Sequence, residues 1–99
     1  MTKPIVIIPT YNECENVQSI IDAVFALPVD FHVLIVDDSS PDGTPAIVEE
    51  LQSFYNLSEE RLHLMKRPGK QGLGTAYIAG FQYAIRKQYE YILEMDADF

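Results

Sequence analysis

Asp96 and Asp98 flank a single alanine in EMDAD, directly after an apolar run that includes Tyr91, Ile92, Leu93 and Met95. Two carboxylates at that spacing offer hard oxygen ligands to Mg2+ or Mn2+, ions that usually keep open positions for phosphate oxygens. Like charges this close repel one another, and a bound cation relieves the repulsion. A solvated turn or a helix cap would use the same two acids. A second acidic point lies in VDDSSPDGT (36–44), where Asp37 and Asp38 stand at a strand end. A carboxylate there can accept hydrogen bonds from the ring N–H groups of a nucleobase. Turn and capping chemistry accounts for Ser40 to Thr44 but leaves two consecutive aspartates unexplained.

PTYNE (9–13) offers Tyr11 to cover a base or ribose and Glu13 to hold a hydroxyl or amine. Taken alone, the segment reads first as structural, with Tyr11 at a core edge and Asn12 capping a helix. KRPGKQGLGTA (66–76) gathers Lys66, Arg67 and Lys70 with three glycines ahead of a helix. A diphosphate can rest against the backbone amides of such a loop. Its spacing is neither a Walker loop nor a dinucleotide fingerprint, and a surface loop is the alternative. Cys14 lacks a His/Asp partner, while His32 and His63 read as packed or edge residues within strands. No Ser/His/Asp, zinc or Glu-pair hydrolase pattern is evident.

These segments must be positioned by regular elements, and the apolar pattern supplies them. PIVII (4–8), FHVLIV (31–36), RLHLM (61–65) and YEYILEM (89–95) read as strands. The first two show no period-two polarity, as expected where both faces of a strand are covered. Between them, Val17, Ile20, Ile21, Val24 and Phe25 recur at helical spacing, as do Ile47, Val48, Leu51 and Phe54. Tyr77, Ile78, Phe81, Ala84 and Ile85 form the third such set. Asn12 with Glu15 reads as a variant capping box, and Thr44-Pro45 as a cap before a proline in the first turn. The resulting order, β-α-β-α-β-α-β, predicts an α/β, Rossmann-like parallel sheet with right-handed crossovers. All four polar segments then fall at the C-terminal edge of the sheet, where open α/β folds bind ligands.

Composition narrows the partners. Fifteen acids against seven bases give a net charge of −8, which disfavours nucleic acid and suits recruitment of cations. One cysteine allows no intrachain disulfide, and the apolar start is too short for a signal peptide or membrane span. A cytoplasmic location is expected, at the cytoplasmic membrane face if the parent protein reaches a membrane. Ninety-nine residues allow a single domain.

In order and spacing, IVIIPTYNECENV (5–17), VLIVDDSSPDGT (33–44), KQGLGTAYIAGF (70–81) and MDAD (95–98) resemble family 2 glycosyltransferases of the GT-A fold. The nearest subgroup is the polyprenyl-phosphate sugar transferases, dolichol-phosphate mannosyltransferases above all. The resemblance implies the nucleotide-binding half of a GT-A fold, cut just after D-x-D. It implies that Pro9, Tyr11 and Glu13 line the nucleotide pocket, with Asp38 on the nucleobase beside the Val36 backbone and Lys70 also on the donor. Asp96 and Asp98 become the catalytic metal pair, holding Mg2+ or Mn2+ against the sugar-nucleotide diphosphate. The implied reaction is inverting transfer of a hexose, mannose from GDP-mannose being favoured over glucose from UDP-glucose, to a polyprenyl (dolichyl) phosphate. The acceptor would sit on parts beyond Phe99, so these residues alone are expected to bind donor without turnover and to self-associate through an exposed sheet edge. The alternatives are a response-regulator receiver domain, a nucleotidyltransferase and a non-catalytic sugar-nucleotide-binding module. The receiver domain would put its acidic pair after the first strand, and the nucleotidyltransferase would open with a glycine-rich loop.

Overall fold

A computed structural model describes residues 3–97. The strands are β1 (Ile5–Thr10), β2 (His32–Asp37), β3 (Leu62–Lys66) and β4 (Ile92–Glu94), and the helices are α1 (Val17–Phe25), α2 (Thr44–Tyr55) and α3 (Leu73–Arg86). All strand pairs are parallel, in the order β3-β2-β1-β4. The chain builds outward from β1 through β2 to β3, then returns to the other side of β1 for β4. That reversal is the switch point at which open α/β sheets leave a crevice.

The uninterrupted apolar runs have a direct cause. Alternate residues of β1 and β2 enter two separate cores. Val6, Ile8, Val33 and Ile35 face α1 and α2, where they meet Val17, Ile21, Val24 and Val48. Ile5, Ile7, Leu34 and Val36 face α3, where they meet Ala76 and Ala84. Every residue of β1 and β2 is buried, so neither strand shows a polar face. α3 covers its face alone and lies very close to it: a Cβ at Gly80 would stand 2.5 Å from Ile7 Cγ2.

Several boundaries differ from the sequence expectation. β3 begins at Leu62, and β4 keeps only three residues of the predicted seven. Tyr89 lies outside that strand and is buried against the core, its hydroxyl 2.6 Å from His32 Nδ1. His32 is buried and His63 half-buried, both as packed residues. Asn12 is not a cap; it takes a left-handed φ of 57°, and Asn16 is the N-cap of α1. Thr44 opens α2 behind Gly43 instead of capping it with its side chain. Leu93, Tyr91 and Met95 are exposed around the β4 edge. No helix among the described residues is long and apolar enough to cross a membrane.

Candidate functional site

A cleft of about 190 Å³ opens at the C-terminal edge of the sheet. The exit of β1 supplies Pro9, Thr10, Tyr11 and Glu13 to its wall, and the exit of β2 supplies Asp38. The remaining wall is Lys70 and Gly72 from the β3–α3 loop with Leu73 and Ala76 from α3. Five residues singled out in the sequence (Pro9, Tyr11, Glu13, Asp38 and Lys70) therefore share one cavity. Lys70 Nζ stands 4.8 Å from the centroid of the Tyr11 ring, so an aromatic face and an ammonium lie together at the cleft.

The two consecutive aspartates have different roles. Asp37 is fully buried, and its carboxylate is used up in staples. Oδ1 accepts from the Thr10 and Ser40 hydroxyls, each at 2.6 Å, and Oδ2 from the Ser40 amide at 2.9 Å. Asp38 faces the cleft but is gripped from behind by Arg67. The guanidinium donates from Nε to Oδ1 at 2.7 Å and from its second terminal nitrogen to Oδ2 at 2.9 Å, and the Gln71 amide adds a bond of 3.0 Å to Oδ2. These bonds take three of about four acceptor positions on the carboxylate, and the Gly72 amide also acts on it. Burial alone would raise the Asp38 pKa, but the Arg67 bonds, the Gln71 amide and the Arg67 charge outweigh it. The carboxyl is held below its ordinary value and stays ionised at neutral pH.

Arg67 also reaches the Thr75 hydroxyl at 3.1 Å and the Gly72 carbonyl at 3.2 Å, tying the glycine loop to Asp38. In the sequence it stands out only as one of three loop cations. On the other flank, side chains of the 37–44 loop accept amides from the β1–α1 segment. Ser40 Oγ takes the Asn12 amide at 2.9 Å, Thr44 Oγ1 the Glu13 amide at 3.0 Å, and Asp42 Oδ2 the Cys14 amide at 3.1 Å. Asp42 is held down at about 2: burial pushes it up, but the Thr44 hydroxyl and the Cys14 amide prevail. These amides are claimed by a neighbouring loop, which is why α1 starts only at Val17, five residues after Asn12.

Val36 does not line the cleft. It lies inside β2 with its side chain fully buried on the α3 face, so strand alternation turns it into the core. Asp96 is exposed just past β4 and lies outside the lining of the cavity. The Tyr77 hydroxyl, from α3, donates to Asp96 Oδ1 at 2.9 Å, and burial followed by this bond pushes Tyr77 up to about 12. Asp98 lies outside the described residues. Among the described residues no three acidic, His or Cys side chains converge as a metal cage. Asp96 nevertheless fits an ion of the Mg2+ type, which takes one or two carboxylates and completes its shell with water and phosphate. One of its oxygens is engaged, and the other has no partner among the described residues.

Residues 5–99 match the family described as Glycosyl transferase family 2. The chain belongs to that family. This membership sets aside the receiver-domain and nucleotidyltransferase alternatives. Polyprenol monophosphomannose synthase of Mycolicibacterium smegmatis is 47% identical over 96 residues, covering 97% of this chain and 35% of that protein. Undecaprenyl-phosphate mannosyltransferase of Micrococcus luteus is 39% identical over 92 residues, covering 93% and 36%. The chain thus spans about a third of the length of these curated relatives. Among solved structures, the mannosyltransferase PcManGT from Pyrobaculum calidifontis in complex with GDP-Man and Mn2+ superposes with a TM-score of 0.75 at 26% identity, covering 83% of this chain and 24% of that one. S. aureus TarS 1-349 in complex with UDP gives 0.78 at 26% identity, covering 98% and 28%. The fold is α/β with a parallel sheet, and its structural neighbours are GT-A glycosyltransferases.

Proposed function

We propose that this family 2 chain is the nucleotide-sugar-binding part of a glycosyltransferase that moves a hexose, mannose from GDP-mannose in first place, onto a polyprenyl phosphate with inversion. The observation that carries the reading is the cleft itself: Tyr11, Asp38 and Lys70, drawn from three separate loops, meet at the C-terminal edge of the sheet. The likeness to two polyprenyl-phosphate mannose transferases supports the acceptor class and the sugar.

In this reading Asp38 accepts a ring N–H of the base, with Arg67 keeping it ionised. Tyr11 covers base or ribose, Glu13 receives a hydroxyl, and Lys70 swings from the Tyr11 ring to the diphosphate. Asp96, with Asp98 as its partner in the sequence, would hold Mg2+ or Mn2+. A divalent cation there supplies charge neutralisation for the departing nucleoside diphosphate. A phosphate acceptor is ionised near neutral pH and needs little help from a general base. A polyprenyl acceptor places the parent protein at a membrane surface.

The test is an NMR titration of the chain with GDP-mannose and UDP-glucose, each with and without Mg2+, and with beryllofluoride as a control. Shifts confined to Tyr11, Asp38, Lys70 and their neighbours with one nucleotide sugar are expected. A folded sample that responds to neither sugar nucleotide would refute the assignment of the cleft.

A further inference from the structure

The spacing of Tyr77 marks it as part of the apolar face of α3, and its ring does stack with Phe81, the centroids lying 6.5 Å apart at 26°. Packing explains the ring but not the hydroxyl, since phenylalanine would fill the same space. The hydroxyl reaches past the end of the sheet to Asp96 Oδ1, the one hydrogen bond that Asp96 makes among the described residues. Asp96 needs such a contact. It follows a three-residue edge strand, is exposed, and would otherwise be free to rotate.

We propose that Tyr77 is a positioning residue for the cation site: its hydroxyl occupies Asp96 Oδ1 and leaves Oδ2 as the oxygen offered to the metal. The inference rests on the reading of Asp96 as a metal ligand. Hydrogen bonds to ligating carboxylates fix their orientation in advance, and losing such a partner typically costs about 10- to 100-fold in metal affinity. The exposure of Asp96 puts the expected loss near the low end, about 10-fold. The same helix serves the other end of the cleft. Its N-terminal loop meets Asp38 through the Gln71 amide, and Arg67 holds the Gly72 carbonyl. The loop leading into α3 thus meets Asp38, while Tyr77 on the helix itself meets Asp96.

The experiment compares the chain with its Tyr77→Phe and Asp96→Asn variants, measuring GDP affinity by calorimetry with and without Mn2+ and the bound-Mn2+ line shape by electron paramagnetic resonance. Y77F should melt close to the parent, bind GDP unchanged without metal, and lose about 10-fold of the Mn2+-dependent gain. D96N should lose all of that gain. If D96N loses the gain and Y77F keeps it, the role of Tyr77 is overturned while Asp96 remains a ligand. If D96N keeps the gain, or the parent shows none, the metal assignment falls and the inference with it. Equal weakening of Y77F with and without Mn2+ would mean that the hydroxyl acts on the fold or the nucleotide, which also overturns the proposal.

Discussion

Replacing Arg67 by methionine is the most informative single perturbation of the cleft. The change removes both guanidinium bonds to Asp38 and the links to Thr75 and Gly72, leaving the carboxylate the backbone amides of Gln71 and Gly72. The pair is well enclosed, with side-chain exposures of 9% and 7%. Stripping one partner from a buried pair costs about 3–5 kcal/mol. A domain of this size has about 5–15 kcal/mol in total, so R67M should lose a large share of its stability. At about 4–8 °C per kcal/mol the melting point should fall by at least about 12 °C. Urea unfolding followed by far-UV circular dichroism at pH 7 and pH 4 is the assay. In the parent the Asp38 pKa lies below its unfolded value, so its stabilising contribution is complete above about 3.8 and disappears as pH falls through the folded value. In R67M burial is no longer opposed by the guanidinium, and the penalty grows as pH rises through a raised pKa. The gap between the two proteins should therefore be widest at pH 7 and narrow towards pH 4. R67K, which keeps the charge but loses the fork, should fall between them. A gap under about 1 kcal/mol at pH 7, or one that is the same at both pH values, would refute the account, because lost packing alone has no pH dependence.

Two further outcomes follow from the packing and the histidines. G80A should cost about 1–3 kcal/mol in thermal unfolding, because its Cβ would meet the fully buried Ile7 at 2.5 Å. G74A in the same helix meets open space and should be neutral or stabilising by up to about 1 kcal/mol. Burial lowers the pKa of both His32 and His63 below 6.5, so the unfolded chain takes up protons first. Stability is then full above pH 6.5 and falls on acidification from pH 7 to 5, a slope that an H32Q/H63Q variant should flatten in urea titrations.

The parts legible in the sequence were those governed by local pattern. β1 and β2 stand out because burial on both faces demands unbroken Ile/Val/Leu runs, and Gly43 ahead of Thr44-Pro45 marks the start of α2 within a residue. Asn12 misled because its suitability as a cap is local, whereas the amides that a cap would serve are taken by Thr44 and Asp42, about thirty residues away in sequence. Val36 was named for its backbone, and strand alternation turns its side chain into the core on the α3 face. Arg67 was within reach. Asp37 pairs with Lys66 in the β2–β3 register, so the next residue of each strand, Asp38 and Arg67, must lie side by side. Tyr77 was not legible, since its contact with Asp96 depends on β4 returning to the far side of β1.

The bonds that shape the cleft have one more property. Those joining the three loops, from Asn12–Ser40 to Gln71–Asp38, close separations of 28 to 33 residues. None can form in an isolated hairpin or helix, and closing such long loops is entropically costly until the strands beneath them have paired. In time, therefore, the cleft is a late structure, assembled only after β1, β2 and β3 have found their register. A nucleotide that fits it recognises the finished molecule and no earlier species. At a hundred times its dissociation constant it would deepen the native state by about 2.7 kcal/mol.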